Sequence, residues 1–352
     1  MISNDDYLLV DRLSQGDGLT KEEYTDLLDG RNQELMDYAA GKADEVRRRI
    51  YGNKVYTRGI IEFSSYCRND CFYCGLRRSN SLAERYRLSD EEIFECVEDG
   101  YELGYRTLVL QSGEDAYFTD ERVCSIVRGI KERHPDCAVT LSIGEKERAS
   151  YEAYFEAGAD RYLLRHESYN PEHYGKIHPP EMSRDHRIQC LRDLKDIGYQ
   201  VGCGIMVGAP FQTHENIAED LVFMREFEPH MVGIGPFIPA TGTPFEDEER
   251  GSVEETLFLL SIIRLILPKV LLPATTALGT ANPIGRELGI RSGANVVMPN
   301  LSPLSVRKKY AIYDNKLGSD AVAKSSSAQL SKEALGDYEL VSERGDYIDW
   351  SR

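Results

Sequence analysis

No stretch of the chain is apolar for long enough to cross a membrane. The most hydrophobic late segment, LFLLSIIRLILPKVLLP, is interrupted by Arg264, Lys269 and two prolines, whereas a span needs about 20 mainly apolar residues. Positive charge is also in short supply. The 42 Lys and Arg residues stand against 59 Asp and Glu, a formal net charge of −17. Such a surface repels phosphate backbones and anionic lipid, so neither nucleic acid nor a membrane is expected as a partner. The first residues, MISNDDYLLVDRLSQGDG, carry acids early and have no continuous apolar core. They do not read as a signal peptide, and a cytoplasmic protein is expected. No low-complexity linker divides the middle of the chain. Its 352 residues, 41% of them hydrophobic, suffice for one large barrel or two ordinary domains.

Cysteine is scarce and unevenly placed. There are eight, at positions 67, 71, 74, 96, 124, 137, 190 and 203. In a large chain without a secretory signal they are expected to be reduced, so a disulfide framework is set aside. Five are scattered and read as small core residues. The other three fall within eight consecutive positions.

The rest of the chain alternates. A helical pattern runs from Leu19 to about Ile50, opened by the capping-box pair Thr20 and Glu23. Eight β-like runs follow, at 55–63, 107–112, 138–144, 161–167, 200–208, 231–239, 271–278 and 294–300. Each is rich in branched apolar residues, as strands covered on both faces are. Helical stretches lie between them, several ending in a C-cap glycine such as Gly104, Gly158 or Gly198. The pattern predicts an α/β fold, a (β/α)8 TIM-type barrel with an N-terminal helical extension and a C-terminal tail; an open doubly wound sheet is the alternative. The expected organisation is 1–50 for the extension, 51–313 for the barrel, and 314–352 for a polar tail whose GDYIDW end packs back.

The cysteine triplet carries the chemistry. After the first strand the chain reads EFSSYCRNDCFYCGLRRSN, a C-x3-C-x2-C spacing. Three thiolates on a short loop suit three irons of a cubane, because iron–sulfur clusters take soft sulfur ligands. With no fourth ligand in the loop, one iron stays open to a cofactor or substrate. A zinc knuckle would need a fourth Cys or His, and the nearest following histidine is His134.

This triplet resembles the hallmark of the radical S-adenosylmethionine superfamily. From about Gly59 to Tyr313 the chain also resembles the HydE maturase family of FeFe-hydrogenase assembly. The matching blocks are CRNDCFYCGLRRSN, TLVLQSGED, VTLSIGE, DRYLLRHES, GIMVGAPFQT, MVGIGPFIP, PATTALGT, GREL and GANVVMPNLSP. The resemblance implies one 4Fe–4S cluster on the catalytic cysteines Cys67, Cys71 and Cys74. It also implies S-adenosylmethionine held by Tyr73, Ser112, Gly113, Glu114, Glu167 and Arg187, the last two fixing the methionine ammonium and carboxylate. An alternative is that Glu167 and Arg187 merely pair with each other. Gln111, Thr140, Arg165, Thr275, Thr276, Met298 and Tyr310 are expected in an inner cavity, where buried polar groups need a ligand, water or one another.

The family resemblance implies reductive cleavage of S-adenosylmethionine to a 5′-deoxyadenosyl radical that attacks the sulfur of a cysteine-bound Fe–CO–CN precursor. The implied setting is anaerobic, with other hydrogenase maturation proteins and an external electron donor as partners. Some relatives carry further C-terminal cysteines for a second cluster. This chain has none after Cys203, so no second cluster is expected. The alternatives are a methylornithine synthase or another HydE-like enzyme, and a non-catalytic metal-delivery scaffold. Ser112-Gly113-Glu114, Glu167 and Arg187 argue against the scaffold, which needs no methionine clamp.

Overall fold

The computed structural model describes residues 4–318 and 336–351. Three helices come first: Asn4–Ser14, Lys21–Asp29 and Gln33–Tyr51. Thr20 and Glu23 form the expected capping box, and Asn32 caps the third helix through the Leu35 amide. Sequence reading placed Asn4–Ser14 within the helical extension 1–50 but traced a helical pattern only from Leu19. The apolar face of that first helix is narrow, with Val10 and Leu13 buried among polar neighbours.

The strands are β1 (Lys54–Thr57), β2 (Gly59–Ser64), β3 (Thr107–Ser112), β4 (Ala138–Ser142), β5 (Arg161–Leu163), β6 (Gln200–Cys203), β7 (Met206–Val207), β8 (Met231–Val232), β9 (Gly235–Pro236), β10 (Val296–Val297) and β11 (Glu339–Val341). A six-stranded parallel sheet runs β2-β3-β4-β5-β6-β8. Single parallel bridges carry it onward: Met231 to Leu271, Pro273 to Val296, and Asn300 back to Ile60. Backbone bonds from Leu271 N to His230 O (2.9 Å) and from Ile60 N to Pro299 O (2.9 Å) secure the closure. The sheet therefore returns to its own first strand as a parallel (β/α)8 barrel, and the open-sheet alternative is set aside.

Several expected strands are shorter than their apolar runs. The run 200–208 breaks at Gly204, whose φ of 151° turns the chain between β6 and β7. The run 271–278 ends early because the Thr275 side chain accepts the Leu278 amide and starts the helix Thr276–Ala281. Glu167, at φ 63°, sits in the left-handed region that costs a non-glycine residue energy. These breaks fall at the C-terminal ends of the strands, where such barrels carry their chemistry.

The opposite mouth is closed by residues 336–350. β11 pairs in parallel with β1. Below it Asp346 accepts from Arg161 and Gln200, both at 2.7 Å, and the Arg344 carbonyl accepts from Thr107 at 2.7 Å. Thr107, Arg161 and Gln200 are the first residues of β3, β5 and β6, so the tail covers the N-terminal ends of the strands. Trp350 Nε1 donates to Gly198 O at 3.0 Å. Residues 319–335 of the expected polar tail lie outside the described residues.

Candidate active site

The cysteine loop leaves β2 and is stapled by polar contacts. Asp70 accepts from Arg77 Nε (2.9 Å) and from the Ser79 amide (3.0 Å). Hydrogen bonds from Arg77 and Ser79 hold its carboxyl well below the usual carboxylate range, against the effect of burial. Asn80 Nδ2 donates to Gly75 O (2.9 Å) and Thr241 O (3.0 Å), tying the loop to the far side of the barrel mouth. Gly75 is required there, because a Cβ would stand 2.0 Å from Ala311 O.

All three thiols are unpaired in disulfides. Burial raises each one; Cys74 is pushed up to about 12, with the Cys67 charge adding to the effect. Three thiols that resist ionisation alone become good ligands once a cation supplies the compensating charge. Among the described residues no three His, Cys, Asp or Glu side chains converge on a single ion. A cubane makes no such demand, since each cysteine takes a different iron. The donor set fits a three-cysteine cluster.

A cavity of about 350 Å³ opens beside the loop, with Cys67 and Cys74 in its wall. Cys71 stands behind them, its Sγ 3.7 Å from Met182 Sδ. Tyr73, Ser112, Gly113, Glu114, Glu167 and Arg187 line the same space, as do Gln111, Thr140, Arg165, Thr275, Thr276 and Met298. Tyr310 departs from expectation. It is buried in the main apolar core with the Lys316 ammonium 4.7 Å from its ring centre, and it is absent from the cavity wall. Lys316 Nζ also donates to the Tyr310 carbonyl at 3.0 Å.

Gly113 brings backbone against the cysteines. A Cβ there would lie 2.4 Å from Tyr66 O and 2.6 Å from Cys67 Cβ. The next amide, Glu114 N, donates to Cys67 Sγ at 3.4 Å. The Glu114 carboxylate is already engaged by Arg68 Nε (2.8 Å) and the Glu145 amide (2.8 Å). It therefore shapes the turn, and the Glu114 carbonyl, which accepts the Arg68 amide at 2.9 Å, ties that turn to the cysteine loop.

Glu167 and Arg187 do not pair with each other. Glu167 accepts from Arg165 at 3.0 Å, while Arg187 is bonded to Glu145 and donates to Arg165 O at 2.7 Å. Burial opposes the Arg187 charge, but Tyr174, Glu145 and Tyr73 hold it firmly protonated. One anionic and one cationic group thus face the cavity from separate supports, an arrangement suited to the two ends of a zwitterion. Tyr73 lies 3.1 Å from His178 Nε2. The other ring nitrogen, Nδ1, donates to Tyr174 O at 3.0 Å, and burial depresses His178 to about 3. His178 is neutral, so its Nε2 accepts the Tyr73 hydroxyl and fixes that ring.

Three polar atoms of the wall have no hydrogen-bond partner among the described residues: Thr140 Oγ1, Arg165 Nε and Arg58 Nε. Buried polar atoms are costly unless a ligand or water meets them. Sequence reading missed Arg58, Glu62, Glu145, His178 and Lys316. Arg58 was visible as a lone cation in the apolar run VYTRGIIEF. Lys316 was not, because only folding brings it 2.5 Å from the buried Glu62.

A barrel with three cysteines on the loop after its first long strand, opening on a polar cavity, defines a class. The family model for the radical SAM superfamily matches residues 61–224, the stretch that carries the triplet and the Ser-Gly-Glu turn. Radical SAM enzymes use a 4Fe–4S cluster and S-adenosylmethionine, and this chain is one of them. Within the superfamily the chain belongs to the HydE family of hydrogenase maturases. It is 48% identical over 275 residues to the FeFe hydrogenase maturase subunit HydE of Thermotoga maritima, covering 78% of each chain. It is 32% identical to 3-methylornithine synthase of Methanosarcina barkeri, over 88% of this chain and 87% of that one. The crystal structure of methylornithine synthase PylB superposes with a TM-score of 0.81 at 30% identity, covering 93% of this chain and 99% of that one. The crystal structure of HydG, another FeFe-hydrogenase maturase, shares the fold with a TM-score of 0.74 at 23% identity, over 84% and 68%.

Proposed function

We propose that this chain is a HydE-type maturase whose cavity receives a cysteine-bound Fe–CO–CN precursor during assembly of the FeFe-hydrogenase cluster. The observation that carries the reading is the continuity of one cavity from Cys67 and Cys74 to the unpartnered Thr140 Oγ1 and Arg165 Nε. It has room and polar contacts for a cofactor near the cysteines and a second, anionic ligand beneath it. When bound, the cluster and S-adenosylmethionine supply a 5′-deoxyadenosyl radical by one-electron cleavage of the sulfonium.

The chain's own residues bind, orient and seal. Cys67, Cys71 and Cys74 would hold the cluster through their thiolates. The Ser112-Gly113-Glu114 backbone and Glu167 receive the methionine ammonium, Arg187 its carboxylate, and Tyr73 braces the adenine. Arg165, Thr140, Gln111, Thr275, Thr276 and Met298 surround the substrate. With no cysteine after Cys203, a single cluster serves the reaction. Other hydrogenase maturation proteins and an external electron donor complete the system in the cytoplasm. Among the described residues no helix is long and apolar enough to cross a membrane.

The likeness to 3-methylornithine synthase supports a second reading, rearrangement of an amino acid in the same cavity. Anaerobic incubation of the loaded protein with lysine and, separately, with the organometallic precursor separates the two. Consumption of the precursor alone supports the maturase. Formation of 3-methylornithine from lysine would replace it.

A further inference from the structure

We propose that the surface formed by Tyr66, Arg68, Arg87, Tyr117 and Arg122 is the docking site for an acidic, low-potential electron-transfer protein that reduces the cluster. The inference rests on the proposed function to this extent: reductive cleavage requires one electron from outside the chain.

The chain carries a net −17, yet at Arg68 and Arg87 the paired acids face inward and the guanidiniums outward. Arg68 is 66% exposed while its partner Glu114 is 5% exposed. Arg87 is 33% exposed over Asp115 at 3%. Arg122 adds a third cation, itself 24% exposed and paired with the more exposed Asp90 at 36%. Each buried carboxylate anchors its guanidinium and fixes where the positive face points. Approaching solutes meet the cations first, and a local positive field on an acidic protein steers an acidic partner to one place.

The patch is also built for contact. The Arg87 guanidinium lies 3.8 Å from the Tyr66 ring centre and 4.7 Å from that of Tyr117, and Arg122 covers the other side of Tyr117 at 4.3 Å. Tyr66 and Tyr117 remain 36% and 49% exposed. A stack of alternating Tyr and Arg presents flat area at low entropic cost, and these residue types dominate binding hot spots. Its rigidity is independent of any partner.

Position supplies the second argument. Tyr66 is bonded in the chain to Cys67, a cluster ligand in the proposed function. Arg68 follows it, and its carboxylate partner belongs to the residue whose amide meets Cys67 Sγ at 3.4 Å. A donor seated on the stack is separated from the cysteine loop by a single residue of covalent chain. The wide cavity mouth stays available to substrate. In the step itself the donor's reduced flavin or iron–sulfur centre loses one electron and the cluster gains it; no bond is made or broken between the proteins.

The test measures binding directly, on both cluster-loaded protein and apoprotein, with flavodoxin and a plant-type ferredoxin as probes. At least one probe binds the wild type, and its affinity falls steeply as salt is raised. The double variant Tyr117→Ser/Arg122→Glu, which leaves the cavity wall untouched, binds at least about tenfold more weakly. Arg122→Lys keeps the charge and the salt dependence. Dithionite, which needs no docking surface, supports the same 5′-deoxyadenosine yield in wild type and double variant. Absence of binding by both probes, unchanged affinity in the double variant, or affinity indifferent to salt would overturn the assignment. Failure of the wild type to cleave S-adenosylmethionine even with dithionite would instead count against the proposed function.

Discussion

Replacing Gly113 with alanine isolates the role of close backbone approach. The added Cβ would stand 2.4 Å from Tyr66 O and 2.6 Å from Cys67 Cβ, distances that real Cβ atoms do not tolerate. Gly113 does not adopt a positive φ, so the cost is steric and not conformational. Both obstructing atoms belong to a loop fixed by Asp70, Asn80 and Gly75, which leaves little room to give. Overpacking of a rigid site costs about 1–3 kcal/mol, or about 5- to 150-fold in a binding constant. The expected result is a thermal stability lowered by no more than that cost, reduced iron after anaerobic reconstitution, and S-adenosylmethionine affinity lowered within that range. Gly41→Ala is the control. It sits inside the helix Gln33–Tyr51 with nothing within 4 Å of its Cβ, so it should stabilise by about 0.5–1 kcal/mol. Full iron loading and unchanged cofactor affinity in Gly113→Ala would refute the claim that this turn is fitted to the cysteines and their ligand.

Other consequences can be measured separately. Lys316→Met strips Glu62 of its buried partner, and losing one member of such a pair costs about 3–5 kcal/mol. Thermal melts should show that loss, largely recovered in Glu62→Gln/Lys316→Met. Arg187→Met should weaken S-adenosylmethionine binding by about tenfold or more while iron content stays normal; calorimetric titration reads the first and an iron assay the second. For Asp346 burial favours the neutral form, but Arg344, Arg161 and Gln200 outweigh it and hold the carboxyl well below its unfolded value. A depressed carboxylate contributes stability above the unfolded value near 3.9, and loses it as pH falls through the folded one. Melting temperature should therefore drop on acidification below about pH 4, and Asp346→Asn should lower it at pH 7 while flattening that acid limb.

Much of this was legible in the sequence because it is local. The triplet spacing, the Thr20–Glu23 cap and the eight apolar runs depend on neighbours a few residues apart. The barrel followed from their alternation. Strand ends were less legible, because Gly204 and Thr275 stop runs whose composition alone would continue. The ion-pair pattern was not readable at all. Glu145 takes Arg187 and Arg165 takes Glu167, partnerships set by how β4, β5 and the helix Arg184–Ile197 meet in space. Tyr310 was misplaced for the same reason. Its place beyond the last strand suggested the cavity, but the fold buries it in the core against Lys316.

The central claim is that Cys67, Cys71 and Cys74 hold a single cluster that cleaves S-adenosylmethionine. The most direct test is anaerobic reconstitution, addition of dithionite and S-adenosylmethionine, and quantification of 5′-deoxyadenosine beside iron. The account predicts turnover with about four irons per chain, abolished in Cys71→Ala. Stable iron binding with no cleavage, even with candidate substrates present, would contradict it.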